Sequence, residues 1–261
     1  MDNPWLAAVS ALFVWWFSTG LILWRVRAAD NGAPVQHLLS VIFALPLLIA
    51  GGVGIVLTRT DASSGGAYLA FLSALAIWGW IELAFLSGII TGPNRRPCPP
   101  GVTLADRFLR GVGTLAWHEL LLIAALLMLW QGTAGAVNPV GFWTFAVLFF
   151  CRISAKLNLF FGVPRIHTEF LPRPLSHLPS HFRHGGVNAF FPVSVSILTF
   201  ATYCWMERLW QATDPGQITG FALLCSLSAL ALLEHWFMVL PLPDQKLWRW
   251  MMPAPKPMPE D

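Results

Sequence analysis

The chain's 261 residues are 56% hydrophobic and only 11% charged, with a mean hydropathy of +0.62. That balance excludes a soluble core wrapped in a polar surface and points to a membrane protein. The net charge of +3 follows from how the basic residues are distributed, so no nucleic-acid partner is implied.

Apolar windows of about 20 residues, long enough to cross a hydrocarbon core of about 30 Å, recur in chain order. They run over Trp5 to Trp24, Leu38 to Thr58, Ala67 to Thr91, Leu109 to Trp130, Val140 to Val163, Ala189 to Trp210 and Ile218 to Leu240. Lipid leaves a single-pass segment no way but a helix to satisfy its backbone. The expected fold is therefore all-α: a polytopic bundle of seven transmembrane helices in one domain, 1–245, followed by a short proline-rich tail, 246–261.

The first window lacks a basic start, and Arg25 and Arg27 follow it, so it reads as a retained helix rather than a signal peptide. Twelve of the 16 Lys and Arg residues fall in the first, third and fifth connections and the tail. Arg59 and Arg208 lie on the opposite side, and Arg152 and Lys156 lie inside a helix. The positive-inside rule then predicts an outside N-terminus and a cytoplasmic C-terminus. In the second window, Pro46 and the run AGGVG predict an irregular helix.

The third window carries Glu82 and the fourth carries His118 and Glu119 within TLAWHELLLIAALLMLW. At about 1.5 Å per residue, Glu82 and His118 lie roughly 14 Å from the cytoplasmic boundary. The fifth window contributes Arg152, Lys156 and Asn158, and the seventh Glu234 and His235. A lone charge in mid-bilayer costs from about 2.5 to well above 10 kcal/mol, so these groups should face one another. Arg152 and Lys156, four apart, share a helix face, and Glu82 and Glu119 are natural counter-ions. His118 and Glu119 are adjacent, hence about 100° apart, and serve different contacts.

Three readings of the cluster are open. It is a structural polar network, or a site for a tetrapyrrole or other lipophilic cofactor with His118 as axial ligand, or part of a metal oxidoreductase. The last draws on SHLPSHFRH in the fifth connection, where His177, His181 and His184 follow at i, i+4 and i+7. A short helix capped by Ser176 would align the three imidazoles. Histidine-box membrane oxygenases use more histidines, usually with an adjacent pair, and this chain has seven with no such pair. A retinal Schiff base is excluded, because the last window contains no lysine. Cys98, Cys151, Cys204 and Cys225 show no C-x-x-C spacing, which indicates neither a disulfide framework nor a zinc site.

The segments FLSGIITGPNRRPCPPG (Phe85 to Gly101), HEL at His118, RISAKLNLFFGVP (Arg152 to Pro164), EFLP at Glu169, HLPSHF at His177 and NAFFPVSV (Asn188 to Val195) resemble the photosynthetic complex assembly protein 2 family, PuhE type. These are membrane proteins of anoxygenic phototrophs, encoded beside the reaction-centre H subunit. The resemblance implies an assembly factor in the bacterial cytoplasmic or intracytoplasmic membrane, working with reaction-centre or light-harvesting subunits or bacteriochlorophyll-pathway proteins. It favours bacteriochlorophyll or a precursor tetrapyrrole as ligand and carries over no catalytic residue. The expected pigment groove runs between the third, fourth and fifth windows, lined by Trp78, Trp80, Trp117 and Phe160. His118 would ligate the metal, Arg152, Lys156 and Asn158 would contact the periphery, and Glu82, Glu119, His167 and Glu169 would complete the polar network.

Overall fold

Helix starts are written locally in the sequence. In the computed structural model, which describes residues 3–242, the Asn3 side chain accepts from Trp5 N at the start of α1 (Pro4–Asp30). Ser63 accepts from Gly66 N to open α4 (Ser64–Leu86), and Thr103 accepts from Asp106 N to open α5 (Leu104–Gly132). These are the side chains best suited to satisfy the first unpaired amides of a helix. The second window is two helices, α2 (Val35–Phe43) and α3 (Leu45–Thr58), separated at Ala44 because Pro46 lacks the N–H that would bond to Ile42 O. Then follow α6 (Val140–Phe161), α7 (Phe190–Gln211) and α8 (Pro215–Phe237). Among the described residues there is no strand, only an isolated bridge between Val163 and His184. The expected tail, 246–261, lies outside the described residues.

Six rods are long and apolar enough to cross a membrane: α1, α2 with α3, α4, α5, α6 and α8. The sixth expected window is helical as α7, but Ser194, Ser196, Thr199, Thr202, Glu207 and Arg208 keep it below that apolarity.

The rods alternate in direction. At one end, Arg27 Nη2 donates to Glu169 O (2.8 Å), Arg173 N to Asp30, Cys98 N to Ser180 Oγ, and Arg165 N to Met238 O. At the other end, Val137 N and Asn138 N donate to Arg59 O, and Asn138 Nδ2 to Asp61 O. The first, third and fifth connections therefore share one end, with most of the described Arg residues. The second and fourth share the other.

Small residues set the closest helix approaches, as they do where lipid supplies no hydrophobic drive between helices. A Cβ on Gly54 would lie 2.1 Å from Ser73 Oγ, and one on Gly141 would lie 2.3 Å from Ile55 Cδ1. These contacts draw α3, α4 and α6 together. With α8 they enclose Ala67, Ala70, Phe71, Val140, Ala222 and Leu223 in one core and Ile55, Ala74, Ile81, Leu122 and Phe145 in another.

Candidate functional site

Two ion pairs cross between helices. Arg152 Nη2 on α6 donates to Glu82 Oε2 on α4 at 2.9 Å, and Lys156 Nζ, one turn further along α6, donates to Glu119 Oε1 on α5. The spacing of four puts both bases on one face of α6, and the two carboxylates come from the two helices that face it. Each charge so placed has its counter-charge in a medium where Coulomb attraction is weakly screened.

His118 goes elsewhere, because its neighbour Glu119 takes the direction toward α6. Its side chain is 0% exposed, its ring centroid is 4.3 Å from that of Phe85, and its backbone N–H donates to Thr91 O at 3.0 Å. Nε2 stands 3.8 Å from Glu82 Oε1, too far for a hydrogen bond, and neither ring nitrogen has a hydrogen-bond partner. Trp117, on the third direction, is 55% exposed on the outside of the bundle.

Beside the ion pairs lies a cavity of about 700 Å³. Its walls come from α1, α4, α5, α6 and α8, and the connection after α6 closes one end. Apolar side chains including Ile22, Leu75, Trp78, Phe85, Phe160 and Leu227 make most of it, and Glu82, Glu119, Arg152, Lys156, Glu234 and His235 supply its polar groups. The expected groove is thus corrected: Trp78 and Phe160 line the space, whereas His118, Trp80, Trp117 and Asn158 do not. Trp80 instead donates through Nε1 to Val41 O of α2 (3.1 Å). Phe85, not His118, is the ring presented to the cavity, and Lys156 Nζ lies 5.6 Å from its centroid.

Asn158 is a fastener between helices. Its Nδ2 donates to Ser194 Oγ of α7 at 2.9 Å, and its Oδ1 accepts from Asn188 Nδ2 at 3.1 Å. Asn188 in turn donates to Gly162 O and accepts from Phe190 N and Phe191 N. His235 makes the corresponding link from α8: Nδ1–H donates to Ala231 O (2.8 Å), so Nε2 accepts from Ser154 Oγ of α6 (2.9 Å).

The connection after α6 folds as three 3₁₀ turns, Thr168–Phe170, Arg173–Leu175 and Leu178–His181. Pro172, Pro174 and Pro179 break any longer helix, so the expected Ser176-capped helix does not form and the three imidazoles do not align. His177 and His181 are buried and His184 is exposed. Among the described residues, no group of three His, Cys, Asp or Glu side chains could hold a metal ion. Glu169 is exposed and pairs with His167 at 3.2 Å, and His167 reaches the cavity wall.

His181 also lines the cavity. Ser180 Oγ–H donates to His177 O at 2.6 Å, so at 3.2 Å from His181 Nδ1 it must accept. Nδ1 therefore carries the proton, and Nε2 keeps a lone pair with no hydrogen-bond partner. Burial, the largest cause, holds both His177 and His181 below the usual histidine value.

The α1 side of the cavity, Trp15, Ser18, Thr19 and Ile22, was absent from the sequence reading. Its only signal was the polar pair Ser18-Thr19 inside the apolar run WWFSTG.

No solved structure matches the chain. A Rhodobacter capsulatus protein described as an uncharacterized 30.4 kDa protein in the puhA 5′ region is 59% identical over 258 residues, covering 97% of this chain and 93% of that protein. The family described as protein of unknown function DUF3623 matches residues 1–259, and the chain belongs to that family.

Proposed function

We propose that this protein is an assembly factor for the bacteriochlorophyll-containing photosynthetic apparatus, resident in the bacterial cytoplasmic or intracytoplasmic membrane, and that it holds a tetrapyrrole pigment between synthesis and delivery. Its N-terminus is outside and its C-terminus cytoplasmic, so that the Arg-rich end of the bundle faces the cytoplasm. The observation that carries the pigment reading is the cavity of about 700 Å³ with apolar, aromatic walls and a few convergent polar groups, inside the roughly 300–1,000 Å³ range of small-molecule sites. The setting in photosynthesis comes from the relative in the puhA 5′ region.

The chain's residues fit such a ligand in one way and not in another. His118 is ill placed to ligate a central metal, being sealed behind Phe85. His181 fits the role, with its proton on Nδ1, its Nε2 lone pair without a hydrogen-bond partner and its side chain at the cavity wall. A second nitrogen held by an outer hydrogen bond is the usual arrangement of a ligating imidazole. Trp78 and Phe160 would flank the macrocycle, and the partners that receive it would be reaction-centre or light-harvesting subunits or pathway proteins.

The test is an absorption spectrum with metal analysis on protein purified in mild detergent from its own phototrophic membranes. Stoichiometric tetrapyrrole absorbance, altered by His181→Gln and unaltered by His118→Gln in folded protein, is the expected result. A colourless protein that still co-purifies with reaction-centre subunits would replace this reading with a pigment-free scaffold.

A further inference from the structure

The ion pairs of the cavity restrict the charge its occupant can carry, an inference that rests on the cavity being the pigment site. Among the described residues that line its interior from the helices, the ionisable carboxylates are Glu82, Glu119 and Glu234 and the bases are Arg152 and Lys156. Each base is already engaged, Arg152 with Glu82 and Lys156 with Glu119. Glu234 is exposed at the wall and hydrogen-bonded to Trp15, with no base of its own. With every group ionised the interior carries one excess negative charge, and with Glu234 protonated it is neutral. In neither state is a cation left over.

A ligand carboxylate reaching this region would have to displace Glu82 or Glu119 and leave that side chain as an uncompensated buried charge. An uncharged oxygen meets no such obstacle. Arg152 has five N–H donors, gives one from Nη2 to Glu82, and keeps 40% of its side chain accessible at the cavity wall. It can add a hydrogen bond to a carbonyl without losing its counter-ion.

We propose that the cavity selects an uncharged, carbonyl-bearing lipophile, which for a tetrapyrrole means the esterified form, and discriminates against the free carboxylic acid. The full-length protein in phosphatidylcholine nanodiscs is titrated with zinc mesoporphyrin dimethyl ester and, separately, with the diacid, following quenching of tryptophan fluorescence and subtracting partition into empty nanodiscs. The ester is expected to bind at least about tenfold more tightly than the diacid. Glu82→Gln, which frees Arg152 from its counter-charge, should raise diacid affinity about tenfold and leave ester affinity within about twofold. Glu119→Gln, freeing Lys156, is read the same way if Glu82→Gln loses its helical circular dichroism. Equal or tighter binding of the diacid by the unmodified protein would overturn the proposal while leaving the pigment site standing. Binding of neither probe would overturn the pigment site and this proposal with it.

Discussion

Arg152 on α6 and Glu82 on α4, 70 residues apart in sequence, meet at 2.9 Å on the wall of the cavity. Removing one partner strands the other in a poorly solvated place. Glu82→Gln or Arg152→Met alone should destabilise by about 1–3 kcal/mol, less than the roughly 3–5 kcal/mol of a sealed pair because Arg152 is 40% accessible. The double variant should recover part of the loss. Unfolding in detergent, analysed as a double-mutant cycle, measures the coupling, and additive losses would contradict it.

Gly92 lies against the backbone of α5, where an added Cβ would stand 2.1 Å from Gly113 O. Gly92→Ala should therefore cost at least about 1–3 kcal/mol through overpacking. Gly111, inside α5, has nothing within 4 Å of its added Cβ, so Gly111→Ala should instead stabilise by about 0.5–1 kcal/mol. Opposite signs in thermal unfolding are the expected outcome.

Asn188 ties the end of α6 to the start of α7 with four side-chain hydrogen bonds to Gly162, Asn158, Phe190 and Phe191. Asn188→Ala should cost about 2–4 kcal/mol, combining a lost cap with unpaired buried groups. Hydrogen exchange should accelerate first at Phe190 and Phe191. Uniform acceleration across the bundle would count against a local fastening role.

His177 and His181 are held neutral by burial to lower pH than an ordinary histidine, whose value is 6.5. Between the folded and unfolded values the unfolded chain binds more protons, so the stability these groups contribute is present above pH 6.5 and declines as pH falls below it. The thermal midpoint should drop between pH 7.5 and 5, and His177→Gln with His181→Gln should flatten that drop. A midpoint that rises on acidification would reverse the assignment.

Much of this architecture was legible because period and depth constrain a membrane chain tightly. The apolar windows became helices, and the i, i+4 spacing of Arg152 and Lys156 with carboxylates on two earlier helices anticipated both ion pairs. The role of His118 was not legible, since sequence spacing fixes the angle between His118 and Glu119 but not which one turns inward. Phe85 took the place facing the cavity. The contribution of α1 was hidden for a similar reason: Trp15 and Ser18 acquire meaning only from α8 packing beside them. The loop histidines misled because i, i+4, i+7 aligns side chains only on an α-helix, and three prolines impose tighter turns.

The order of the charges along the chain bears on how the protein reaches its membrane. Glu82 and Glu119 are synthesised before Arg152 and Lys156, so two acidic helices precede the basic one through the insertion machinery. With two bases at about 2.5–3.5 kcal/mol each near a helix centre, α6 alone is a poor substrate for lipid partitioning. It becomes a good one when α4 and α5 already offer carboxylates beside the exit site. Insertion of α6 should then be efficient in a chain carrying all three segments and inefficient when α6 is presented by itself or ahead of its counter-ions, which makes the cavity's salt bridges a device of biogenesis as well as of the finished protein.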